Sequence, residues 1–110
     1  MENIFNEIRN ERQKQEAKWG EQNHPILDPI LINRDAQRMC EEYEIPTESR
    51  ARQKVEIHAE RGDLTYMHIL MEEISEAASC GSNTEELRKE LIHSASVLVA
   101  MIESLDRNGR

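Results

Sequence analysis

Apolar residues recur along this chain at intervals of three and four, the period of an amphipathic helix. The stretch that organises it runs from Leu64 to Leu105. Leu64, Tyr66, Met67, Leu70, Met71, Ile74, Ala77 and Ala78 fall on one broad side of a helix turning about 100° per residue. Leu87, Leu91, Ala95, Leu98, Ile102 and Leu105 form the stripe of a second. Gly81 lies between them, where a left-handed residue is wanted. Asp63 offers an N-cap to the first helix, and Ser82, Asn83 and Thr84 are three candidate caps for the second. Glu85 and Glu86 follow in the first turn, where the helix dipole favours negative charge.

Upstream, Ile4, Phe5, Ile8 and Trp19 give a narrow apolar stripe among interleaved charges, and Gly20 ends that helix. Asp28-Pro29-Ile30-Leu31-Ile32 is a short apolar run, either a helical turn or an extended packing segment. Asn33 can cap a helix through Tyr43; Pro46 interrupts, and Thr47 can cap the next. The pattern predicts one all-α domain over residues 1–110, an antiparallel helical bundle with helices near 3–18, 33–44, 47–61, 64–79 and 84–106. Residues 107–110 are expected to be a frayed tail.

Two acidic pairs change this picture. Glu73 and Glu76 stand three apart on one helix, and Glu90 and His93 have the same spacing on the next. Glu73 lies at the edge of the apolar side, Glu76 lies near Ile69, and Glu72 points further toward solvent. Glu90 borders its stripe, on the row of Ser94, Val97 and Met101. A part-buried carboxylate needs a partner. Three carboxylates and an imidazole converging from two helices suit a divalent cation.

Charge supports that reading. The net charge is −8. Residues 63–106 hold nine acids and two bases, a net of −7, so the surplus surrounds these helices. That balance argues against a nucleic-acid polymer as partner. Arg50, Arg52 and Lys54 are the best local source of positive charge, and Lys54 is placed to reach a phosphate. Lys18-Trp19-Gly20-Glu21-Gln22-Asn23-His24-Pro25 is not amphipathic. Its Trp19, Gln22 and His24 either recognise a nucleotide base by stacking and edge hydrogen bonds, or plug the core and make turns. His58 and His68 have no ligand partner near in sequence, so packing is the default for both.

Cys40 and Cys80 lack a zinc spacing and read as free thiols of a reducing compartment. No stretch approaches a membrane span, and Met1-Glu2-Asn3-Ile4 lacks a signal-peptide pattern. A cytoplasmic location is the expectation. With four aromatics in 110 residues, the helices bury little surface alone, so a dimer or tetramer is expected as well.

Glu72-Glu73-x-x-Glu76, a thirteen-residue spacer and Glu90-x-x-His93 together resemble the EExxE…ExxD pattern of the MazG-like all-α nucleoside triphosphate pyrophosphohydrolases. The segment Lys18 to Pro25, and Leu64-Thr65-Tyr66 leading into His68-Ile69-Leu70-Met71-Glu72-Glu73, look like a small single-domain subgroup. The resemblance covers roughly Ile4 to Leu105. It implies packed antiparallel helices that oligomerise, Mg²⁺ with Mn²⁺ as the alternative, and a nucleotide substrate. Cleavage falls between the α and β phosphates, giving monophosphate and pyrophosphate. Carried over by position, Glu73, Glu76 and Glu90 are metal ligands, and Glu73 or Glu76 accepts a proton from water. At the fourth ligand position this chain has His93 where the family has Asp. Two other functions compete: a non-catalytic relative that binds nucleotide or metal without efficient turnover, and an acidic helical interaction module.

Overall fold

A computed structural model describes all 110 residues. The chain is all-helical in its regular structure, without strands. The helices are α1 (Glu2–Trp19), α2 (Pro29–Asp35), α3 (Met39–Glu42), α4 (Glu48–Arg61), α5 (Tyr66–Ala78) and α6 (Thr84–Asn108), with a 3₁₀ turn at Ala36–Arg38.

The expected helix over 33–44 is corrected to three shorter pieces. Asp28 accepts hydrogen bonds from the Ile30 and Leu31 N–H groups, and Pro29 supplies a first position that needs no donor. The helix therefore starts before Asn33, which lies inside it. Asp35 then leaves helical dihedrals (φ −160°), and the chain tightens into the 3₁₀ turn before α3.

A second correction concerns the start of α5. Asp63 does not cap it. Thr65 does, accepting from the His68 N–H, while His68 Nδ1 accepts from the Thr65 N–H at 3.1 Å. Asp63 instead meets His58 Nδ1 at 2.8 Å, a bond that holds its carboxyl below the usual range. The His58 and His68 rings stack with centroids 4.2 Å apart. These contacts pin the short α4–α5 connection. At the other end, α6 runs two residues beyond 106, to Asn108, and Gly109 caps it in the left-handed region (φ 70°).

α5 packs on both α4 and α6 and is the centre of the fold. Ser75, fully buried on α5, donates to the Pro46 carbonyl at 2.8 Å. Cys40 packs against the same turn of α5, with Ser79 Oγ 3.6 Å from its sulfur. Met39, Cys40 and Ala78 form a small core, over which Leu27, Leu31, Ile32 and Ile45 pack.

Much apolar surface is left uncovered. Of the stripe on α6, Leu87 is buried, whereas Leu91, Leu98, Ile102 and Leu105 are exposed. α1 buries only Ile4. The accessible surface is 8497 Å², against about 6,300 Å² for a compact monomer of this mass. The radius of gyration is 16.0 Å, where about 13 Å suits this length. No helix is long and apolar enough to cross a membrane.

Candidate metal centre

The turn between α5 and α6 sets the register of the acids. Gly81 adopts φ 62° and reverses the chain; of the three candidate caps Asn83 is used, accepting from the Glu86 N–H. Glu73 lies eight residues before Gly81 and Glu90 nine after it. An equal rise of about 1.5 Å per residue on two antiparallel helices brings them level.

His93 Nδ1 lies 3.5 Å from Glu90 Oε2 and 3.8 Å from Glu73 Oε2. One ligand atom from each residue fits within 4.8 Å of the others. Glu76 lies beside them, close enough for the Glu73 and Glu90 carboxylates to act on its own carboxyl. The Glu90 side chain is 10 % exposed and that of Glu73 is 22 %. Oε2 of each is buried without a hydrogen-bond partner. Such orphaned acceptors are costly unless something meets them.

The electrostatics agree with the geometry. Burial pushes the Glu76 carboxyl up to about 7, helped by the neighbouring carboxylates of Glu90, Glu73 and Glu72. Burial likewise raises Glu73, and the Glu90 charge adds to it; His93 acts in the opposite sense. Crowded carboxylates with bare oxygens fit a divalent cation, which would satisfy the orphans and offset the repulsion. The set that lies within 4.8 Å holds two oxygen donors, from Glu73 and Glu90, and one nitrogen donor from His93, with Glu76 as a further carboxylate beside it.

The expected position of Glu72 is corrected: its side chain is 21 % exposed, and Arg52 Nε reaches from α4 to within 3.9 Å of its carboxylate. Arg52 also bonds Glu48 at 2.9 Å. The basic residue of α4 that meets an acid of α5 is thus Arg52, at Glu72. Lys54 lines a separate small cavity with Pro46, Ala51, Met67, His68 and Met71. Both residues flank the face of α4 marked by Ala51, Val55 and His58, on opposite sides, and the pattern of α4 alone does not say which side meets the acids.

Trp19, Gln22 and His24 are exposed, and His24 is not part of the Glu73–Glu90–His93 cluster. α1 approaches α6 through Met1, Phe5 and Ile8. Trp19 is eleven residues beyond Ile8, about 16 Å of helix. It does not plug the core: its ring is 59 % exposed, with the Lys18 ammonium 4.7 Å from the centroid. Cys80 sits beside the acids, its thiol bonded to the Glu76 carbonyl, and burial raises its pKa.

No family model matches this chain, and no curated protein or solved structure matches it either.

Proposed function

We propose that the protein is a metal-dependent nucleoside triphosphate pyrophosphohydrolase of MazG-like type. The observation that carries this reading is the pair of buried, unpartnered oxygens on Glu73 and Glu90, facing His93 across two helices. Glu73, Glu76, Glu90 and His93 would hold the cation, which would offset the charge of the triphosphate and polarise the phosphate under attack. A carboxylate of the cluster left free, Glu73 or Glu76, takes the proton of the attacking water. Burial raises both carboxyls, that of Glu76 to about 7, the range in which a general base works best. Arg52, which reaches Glu72 from a third helix, supplies positive charge for the substrate's anionic tail. The exposed ring of Trp19 and the polar groups of Gln22 and His24 supply the stacking and edge contacts for a base.

The working unit in this reading is a homo-oligomer. The excess of about 2,200 Å² over a compact monomer is what one chain of an obligate dimer commonly buries. Two apolar grooves meet at Leu98, one lined by Ile74, Leu87 and Leu91, the other by Phe5, Ile92 and Ile102.

Phosphorus NMR of each common nucleoside triphosphate incubated with protein and a divalent cation tests the chemistry. Monophosphate and pyrophosphate should appear in equal amounts, and Glu90→Gln should abolish them. Diphosphate with orthophosphate would refute the cleavage position. Bound cation and nucleotide without turnover would favour the second reading, a non-catalytic binder, for which His93 in place of the family's Asp is the motivating feature.

A further inference from the structure

We propose that His93 makes this a mixed nitrogen–oxygen site, which takes a divalent transition-metal ion such as Mn²⁺ in preference to Mg²⁺, with Nδ1 as a direct ligand. The inference rests on the cation-site reading above and extends it to the class of ion.

The geometry starts from Glu90 and His93, three apart on α6 and so on one face. Nδ1 is the ring nitrogen turned to the acids, 3.5 Å from Glu90 Oε2 and 3.8 Å from Glu73 Oε2. Neither separation is a hydrogen bond, and neither oxygen has another partner. The edge of a coordination shell with bonds of about 2.1 Å is roughly 3.0–3.4 Å. The two distances from Nδ1 thus need to close by only a few tenths of an ångström, and the ligand atoms of all three residues already lie within 4.8 Å of one another. Glu90 is nine-tenths buried, so its bare oxygen aims into this space and not into bulk water.

The chemistry then selects the ion. Mg²⁺ is hard, prefers oxygen and releases its waters reluctantly. Imidazole suits transition metals and gives Mg²⁺ little in return for a lost water. A neutral imidazole at this position also brings one negative charge fewer than a carboxylate, which weakens a purely electrostatic Mg²⁺ site most.

The test uses the full chain stripped with EDTA. Mn²⁺ binding is followed by electron paramagnetic resonance, Mg²⁺ is added as competitor, and electron spin-echo modulation reports nitrogen bound to Mn²⁺. Wild-type protein should show nitrogen modulation, and His93→Gln and His93→Asp should lose it. His93→Asp should lower the Mn²⁺-over-Mg²⁺ preference by roughly tenfold or more. Bound Mn²⁺ without nitrogen modulation would overturn the inference, and so would an unchanged preference in His93→Asp. Wild-type protein that binds neither ion would overturn both this and the cation site. Nitrogen-coupled Mn²⁺ without nucleotide hydrolysis would support the inference and refute the hydrolase reading. The wild-type spectrum needs no variant, so a misfolded mutant cannot obscure the result.

Discussion

Replacing Glu76 with Gln should stabilise the cation-free protein, and the gain should depend on pH. The Glu76 carboxyl rises from its ordinary 4.5 to about 7 in the fold. A carboxyl raised in the folded state favours folding while protonated. That contribution is fully present below the unfolded value and is lost as pH rises through about 7. Each unit is worth about 1.4 kcal/mol, which puts the upper limit near ~3.4 kcal/mol at pH 8. The carboxyl is only partly withdrawn from water, so screening reduces this to roughly 1–2 kcal/mol. A chain of this length gains about 4 °C per kcal/mol, so Glu76→Gln should melt roughly 4–8 °C above wild type at pH 8. At pH 4 the wild-type side chain is neutral in the fold and largely neutral in the unfolded chain, and the two proteins should melt within about 1 °C of each other. The assay is thermal unfolding by circular dichroism in EDTA, at one protein concentration so that assembly does not enter. A Gln variant no more stable than wild type at pH 8 would refute the reasoning. So would a gap that persists unchanged at pH 4.

Two further outcomes follow from the packing. Ser75→Ala removes a fully buried hydroxyl and leaves the carbonyl of the half-buried Pro46 without its donor, and urea unfolding should show a loss of about 1–3 kcal/mol. Leu98→Glu puts a charge where the two apolar grooves meet; light scattering should show wild type as at least a dimer at micromolar concentration and this variant as a monomer.

The parts of this fold that were legible in the sequence are those set by local rules. α5 and α6 carry apolar stripes at helical spacing, and Gly81 and Asn83 mark the turn between them. Counting outward from that turn brings Glu73 and Glu90 level, which is why the acid pairs could be read as one site. What stayed hidden depends on contacts between elements. Asp63 is an acceptable cap in isolation, but His58 on α4 claims its carboxylate, and the Thr65–His68 pair then begins α5 two residues later. The break at Asp35 has no Gly or Pro to announce it. Arg52 and Lys54 are equivalent by position on α4, and only the packing of α4 on α5 brings Arg52 to Glu72. Trp19 lies at the end of a helix that the rest of the chain barely touches, so its exposure could not be read from its apolar character.

The central claim is that Glu73, Glu90 and His93, with Glu76 beside them, form a divalent-cation site between α5 and α6. Crystals soaked in MnCl₂ and measured at the manganese absorption edge test it directly. The account predicts one strong anomalous peak in that space, about 2.2 Å from a carboxylate oxygen of Glu73, one of Glu90 and Nδ1 of His93. An empty space there at saturating Mn²⁺, with the two carboxylates bonded to protein or water alone, would contradict it.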